Sequence, residues 1–232
     1  MNPFLFFILT VLILQYLLDL VVDVLELRSL NPVLPNTFRD VYDEEKYASS
    51  QRYTRVQTRF GQARSSLSLI VTIGFILVGG FSTVDMVARR LGQGSIVTGL
   101  IFTGILFVLS SLFSLPFSVY FTFVIEERFG FNRTTLKIFI LDLIKGTLLS
   151  VLLGAPLLAM VLWFFESTGE FAWLYSWIGL SLFTFVMQFL APVLIMPLFN
   201  KFTPLEDGTL KERINQLLER CGFRSNGIFI MD

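Results

Sequence analysis

Histidine is absent from this 232-residue chain, and cysteine occurs once, as Cys221. The first absence removes the commonest metal ligand and the commonest general base. Neither His/Cys zinc spacing nor a Ser-His or Cys-His nucleophile can be assembled from these residues alone. The second absence excludes an internal disulfide. Charge is also scarce: 16% of residues are charged, against about 25% in ordinary soluble domains. Lys plus Arg and Asp plus Glu balance at 18 each, so net charge points to no nucleic-acid partner. What fills the chain is apolar. Hydrophobic residues make up 54%, with 26 phenylalanines, which is the composition of a membrane protein.

Five apolar runs are long enough to cross a bilayer as helices: 4–25, 67–87, 96–125, 138–165 and 171–199. The sequence therefore predicts an all-α, multi-pass membrane fold. The first run lacks the positive leader and cleavage site of a signal peptide and is read as a retained span. The third would reach roughly 45 Å as a helix, so it must tilt, kink or protrude, and Pro116 is the candidate kink. Ser110, Ser114 and Ser118, and then Gly146, Ser150 and Gly154, form small-residue ladders suited to helix contact. Pro156 is placed to bend the fourth run. Trp173, Tyr175 and Trp177 open the fifth as an interfacial belt, and Pro192 and Pro197 predict a broken exit from it. Segment 26–66 is a polar connection with turns at Asn31-Pro32 and Pro35-Asn36. Its stretch 44–64 is read as a solvated charge run in preference to a surface helix.

Three groups of residues carry more than packing. Gln15, Asp19 and Asp23 recur every fourth residue and share one helical face. They form either an interior polar stripe or, for Asp23, a headgroup contact. Intramembrane carboxylates are costly and turn inward. Asp142 and Lys145 are spaced to make a membrane ion pair that neutralises itself. Between the third and fourth runs lies Glu126–Lys137, with five charges and two aromatic rings in twelve residues. Its adjacent glutamates would point about 100° apart on a helix and cannot act as a paired acid and base.

The charges also predict an orientation. Segment 26–66 has seven Lys/Arg residues, 126–137 three, Lys145 adds one, and 200–232 has five; the opposite side keeps Arg89 and Arg90. The basic-rich side is expected to be cytoplasmic, with the N-terminus outside or lumenal and the tail cytoplasmic. That placement removes Asn132-Arg133-Thr134 as a glycosylation sequon. Bacterial inner membrane and endoplasmic reticulum are not distinguished. In the tail, Thr209 and Glu212 fit a capping box, Leu210, Ile214, Leu217 and Leu218 line one helical face, and Gly222 ends the helix. Ile228–Met231 then reads as a lone strand start without a partner, as if the chain were cut at a domain's opening. The expected organisation is a membrane domain over 1–199 and a truncated cytoplasmic domain over 200–232.

Two stretches carry a resemblance. Val124–Lys137, VIEERFGFNRTTLK, and Met196–Leu210, MPLFNKFTPLEDGTL, resemble the CAAX prenyl protease 1 family of integral-membrane zinc metallopeptidases. The tail that follows is similar to the lead into that family's catalytic domain. The resemblance implies helices around an intramembrane chamber, zinc held by an HExxH helix and a later glutamate, and cleavage of C-terminal tripeptides from prenylated CAAX proteins. In bacterial relatives it implies other membrane peptides. With no histidine present, no zinc ligand or catalytic residue carries over to any position of this chain. Zinc is expected only in a full-length protein, and the chain alone is expected to be inactive.

The residues that do carry over form a structural joint on the cytoplasmic face: Glu126, Glu127, Arg128, Phe129, Gly130 and Asn132, with Asn200, Lys201, Phe202 and Pro204. Glu126, Glu127 and Asn132 are expected to hydrogen-bond across to the tail or to the catalytic domain; otherwise the basic residues anchor at headgroups with Phe129 and Phe131 in the interface. The implied partners are the lipid bilayer, the catalytic domain and a membrane peptide substrate. A transporter or channel fragment, or a non-catalytic membrane interaction module, stays open as the alternative.

Overall fold

A computed structural model describes residues 3–38, 40–92, 94–223, 225 and 227–231. Arg39 and Arg224, two of the basic residues counted for orientation, lie outside the described residues. The chain forms two compact units, 1–140 and 141–232. Each is taken by itself.

The first unit begins with α1, Pro3–Ser29, and α2, Glu44–Leu77. The second of these corrects the sequence reading. Residues 44–64 are neither a solvated charge run nor a short surface helix; they are the first half of a single 34-residue helix. Its start explains why. The Asp43 side chain accepts from the Lys46 amide at 3.0 Å, and Glu44 and Glu45 sit in the first turn, where the helix dipole favours negative charge. The charged half then runs into the apolar half without a breaker stronger than Gly61.

The expected span 67–87 is likewise not one helix. It stops at Leu77, Gly79 takes a left-handed φ of 73°, and α3, Gly80–Leu91, begins in a new direction. α3 is amphipathic: Gly80, Val84 and Ala88 are buried, while Arg89 and Arg90 are exposed. Asp85 pairs with Arg89 at 2.8 Å, and that hydrogen bond together with the carboxylate's charge pushes the Arg89 guanidinium further toward its charged form.

α4, Ser95–Tyr120, passes through Pro116 and widens into a π turn over Phe121–Glu126. Its contact with α2 is aromatic. Phe60 meets Phe117, Tyr120 and Phe121, with ring centroids 5.4–6.3 Å apart. The serine ladder plays less part than expected, since the Ser118 hydroxyl turns back to the Ser114 carbonyl of its own helix.

α5, Leu136–Ser167, crosses the boundary between the units. In the second unit it packs on α6, Ala172–Leu190, which follows a 3-10 turn over Gly169–Phe171. The small residue at this contact is Gly179, where an added Cβ would lie 2.7 Å from Met160 Cε. The ladder expected over Gly146, Ser150 and Gly154 is not a close contact: nothing lies within 4 Å of a Cβ built at Gly146 or Gly154. α6 widens into a second π turn, Ala191–Ile195, and ends in the four-residue α7, Met196–Phe199. The broken exit expected from Pro192 and Pro197 takes this form.

Beyond it, β1, Phe202–Pro204, pairs antiparallel with β2, Phe229–Met231, in register Phe202↔Met231 and Pro204↔Phe229. The strand read as lone therefore has a partner, Phe229 pairing with Pro204 upstream of it, because α8, Thr209–Arg220, folds the tail back on itself. Thr209 is the first helical residue and not the cap. Gly208 takes the cap position without a side-chain bond, so the capping box does not form. The Lys211 ammonium instead reaches back to Asp207 at 2.7 Å, and that hydrogen bond and charge hold the Asp207 carboxyl below the usual carboxylate range. Gly222, at φ 64°, closes the helix, with the Phe223 amide donating to the Leu218 carbonyl at 2.9 Å.

Among the described residues, five helices are long and apolar enough to cross a membrane: Pro3–Ser29, Glu44–Leu77, Ser95–Glu126, Leu136–Ser167 and Gly169–Phe199. Their apolar side chains point outward, with Phe189 76% exposed and Trp173 64% exposed, as a lipid solvent permits. This is a five-span, multi-pass helical membrane protein.

Two glycines separate packing from propensity. A Cβ at Gly92 would lie 2.8 and 2.9 Å from backbone atoms of Thr98, whereas one at Gly61 meets nothing within 4 Å. Gly92→Ala should lower stability by about 1–3 kcal/mol, and Gly61→Ala should raise it by about 0.5–1 kcal/mol. Thermal unfolding of the two variants in detergent checks the opposite signs.

Candidate functional site

The loop after the first π turn is held by its own residues and by α2. The Gly130 amide donates to the Glu127 carbonyl at 3.0 Å, and Gly130 takes φ 74°, a conformation that favours glycine. The Phe131 and Asn132 amides both donate to the Glu126 carbonyl, at 2.9 and 3.3 Å. Asn132 then works in two directions. Its Nδ2 donates to Glu127 Oε2 at 3.0 Å, and its Oδ1 accepts from the Thr134 amide at 2.7 Å. The Thr135 hydroxyl accepts from the Ile138 amide at 3.3 Å, at the start of α5.

Phe129 and Phe131 close edge-on around Tyr53 of α2, at 5.3 and 4.8 Å between centroids, and the Arg128 guanidinium lies 5.9 Å from the Phe129 centroid. Within the first unit, Glu127 and Asn132 bond each other, and the two phenylalanines pack on Tyr53. Sequence reasoning missed Tyr53. Its only signal was an aromatic in a charge-rich stretch, which the assignment of 44–64 as solvated concealed.

In the second unit, Asn200 and Lys201 join α7 to β1, which contains Phe202 and Pro204. The Asn200 amide donates to the Met196 carbonyl at 3.0 Å. Lys145 lies 3.4 Å from Asp142, but its shorter contact is 3.0 Å to the Leu198 carbonyl, and it stands 5.8 Å over the Phe199 ring. The pairing read from i,i+3 spacing is thus only part of what this lysine does.

The stripe on α1 faces α2. Gln15 Nε2 donates to both oxygens of Asp19, at 3.1 and 3.2 Å. Tyr16 and Ser66 share a hydrogen bond at 2.7 Å, and Thr58 donates to Glu26 at 3.3 Å. Two cavities of about 270 and 510 Å³ open along this seam and have Asp19 and Ser65 in common. The smaller is also lined by Gln15 and Arg64, and the larger by Asp23, Glu26 and Gln57. Carboxylates, amides and hydroxyls thus face one another between two spans, where they can satisfy each other or hold water. The partners on α2 were not legible, because the helix that carries them was not.

No zinc site fits these residues. The chain has no histidine, and among the described residues no group of three or more His, Cys, Asp or Glu is placed to hold a metal.

Asn132→Ala removes two partners, and Glu127→Ala only one. Asn132→Ala should speed tryptic cleavage at Arg128 and Arg133 by about thirtyfold, and Glu127→Ala by about fivefold, at about 1 kcal/mol per hydrogen bond. Cleavage rates on the intact protein in detergent check the ranking.

Residues 23–201 match the family described as CAAX prenyl protease N-terminal, five membrane helices. The CAAX prenyl protease 1 homolog of Arabidopsis thaliana is 34% identical over 238 residues, covering 99% of this chain and 56% of that protein. CAAX prenyl protease 1 of Saccharomyces cerevisiae is 36% identical over 214 residues, covering 86% and 46%. The crystal structure of S. mikatae Ste24p superposes with a TM-score of 0.90 at 33% identity, over 100% of this chain and 56% of that one. The chain spans about half the length of the curated relatives it matches. The five spans, both loop motifs and the folded-back tail fall within these matches, and the chain belongs to the CAAX prenyl protease 1 family, corresponding to its N-terminal membrane region.

Proposed function

We propose that this chain is the membrane scaffold of a zinc metalloendopeptidase that removes C-terminal tripeptides from prenylated CAAX proteins or cleaves related membrane peptides. The observation that carries the proposal is the match of 99% of the chain to a CAAX prenyl protease 1 homolog, of which it covers 56%. The scaffold contributes walls and positioning. Its spans offer a greasy substrate an apolar surface, and the α1–α2 seam lines part of a hydrated interior. The loop Glu126–Lys137 and the tail from Asn200 brace the domain that supplies the chemistry. That domain's residues would hold the zinc, which would supply the activated water and the polarised carbonyl when bound. No residue of this chain takes part in that step.

The reading places the loop and the tail on the cytoplasmic side, following the sixteen-to-two asymmetry of basic residues. The lone cysteine reports on it, since Cys221 is exposed. In right-side-out cells a membrane-impermeant maleimide should leave Cys221 unlabelled until the membrane is permeabilised. Labelling in intact cells would reverse the orientation, and Cys221→Ala supplies the blank.

Activity gives the second test. The purified chain in nanodiscs, supplied with zinc and a prenylated CAAX peptide, should show no cleavage. The same chain joined to the remaining length of its Arabidopsis relative should cleave, and a chelator should abolish that cleavage. Zinc-dependent cleavage by the chain alone would defeat the scaffold assignment.

A further inference from the structure

The weakest stretch of backbone in the second unit is the end of the fifth span. Pro192 and Pro197 have no amide hydrogen, so this segment lacks two of the donors a helix normally uses. The ladder widens to a π turn over Ala191–Ile195 and then closes in an α7 of only four residues. At its end the Met196 carbonyl is taken by the Asn200 amide at 3.0 Å and by Asn200 Nδ2 at 3.5 Å. The carbonyls after Met196 are those that a terminating helix leaves without an intrahelical donor.

One of them is satisfied from far away in sequence. Lys145 of α5, 53 residues upstream, donates from Nζ to the Leu198 oxygen at 3.0 Å. A cation at a helix C-terminus also meets the negative end of the dipole. A lysine inside a span is costly, and its stem and ammonium are placed here over Phe199 and on a backbone carbonyl, with Asp142 the longer contact. The spacing that reads as an i,i+3 ion pair is therefore secondary to a tertiary cap.

We propose that Lys145 is a positioning residue: by capping Leu198 it fixes the direction in which the chain leaves the fifth span into β1 and α8. The consequence for cleavage rests on the scaffold reading above; the cap itself does not.

The two parts are tested separately. In the chain reconstituted in nanodiscs, Lys145→Met should raise amide exchange over Asn200–Thr203 by about tenfold, the scale expected for one charge-assisted hydrogen bond. Lys145→Arg and Asp142→Asn should each stay within about twofold. Lys145→Gln, which keeps a donor on a shorter stem, stands in if the Met variant does not fold, and should fall between. Unchanged exchange in Lys145→Met, or an equal rise in Asp142→Asn, overturns the cap. In the chain joined to its relative's remaining length, Lys145→Met should lower kcat about tenfold with KM unchanged, and Lys145→Arg should restore it. Raised exchange with unaltered kcat overturns the positioning role. A joined protein that never cleaves, with the exchange result intact, overturns the scaffold reading and leaves the cap standing.

Discussion

Backbone groups at the ends of membrane helices need partners, and most features of this protein answer that need. Inside a span the ladder satisfies itself; where a helix stops, water is scarce and a few carbonyls or amides are left over. Each stop has its own solution. Asp43 takes an amide at the start of α2, Gly79 turns the chain left-handed between α2 and α3, and Gly222 closes α8. Two further ends are handled by tertiary or loop contacts instead: Asn132 and the Glu126 carbonyl after the third span, Lys145 after the fifth. Both stops come about one helical turn or less after a π turn. A widened turn leaves the ladder less regular, so the groups just beyond it depend more on side chains.

That dependence also sets what could be read from the sequence. Apolar runs are long and unambiguous, so spans one, three, four and five were legible to within a few residues of the helices Pro3–Ser29, Ser95–Glu126, Leu136–Ser167 and Gly169–Phe199. The second was not. Its helix is half charged and half apolar, and a reading by hydropathy places the boundary at the change of polarity, although the backbone continues through it. The true stop, at Val78-Gly79, lies inside what reads as one apolar run. Local spacing misled in the same way at one other point and told only part of the contact at another. Thr209 and Glu212 have the separation of a capping box, but Asp207 and Lys211 hold that turn. Asp142 and Lys145 have the separation of an ion pair, yet the lysine's shorter contact is 53 residues away.

The pairing of β1 with β2 teaches a related point. A strand of three residues has no meaning alone, and sequence offers no way to see that Phe202–Pro204 supplies its partner, since Pro204 argues against a strand. At an edge in a two-stranded pair, a missing amide costs little. The family resemblance put Phe202–Pro204 in the Met196–Leu210 motif and Phe229–Met231 in the tail that follows it, without saying that they touch. Motifs mark positions, and contacts come only from the fold.

The α1–α2 seam follows from the same constraint applied to side chains. Gln15 and Asp19 satisfy each other along α1, and Tyr16 and Glu26 reach Ser66 and Thr58 on α2. A row of carboxylates on a span is unaffordable against lipid but stable against a second row of hydroxyls and amides. The long charged half of α2 is therefore not an appendage of a polar connection. It is the complementary wall that lets α1 keep its acidic residues, and in turn its Tyr53 receives Phe129 and Phe131. One helix thus serves both the interior seam and the loop Glu126–Lys137. A substitution that breaks α2 near Tyr53 should disturb the loop as well as the seam, while one near Thr72 should disturb only the seam's smaller cavity, which Ser68, Leu69 and Thr72 line.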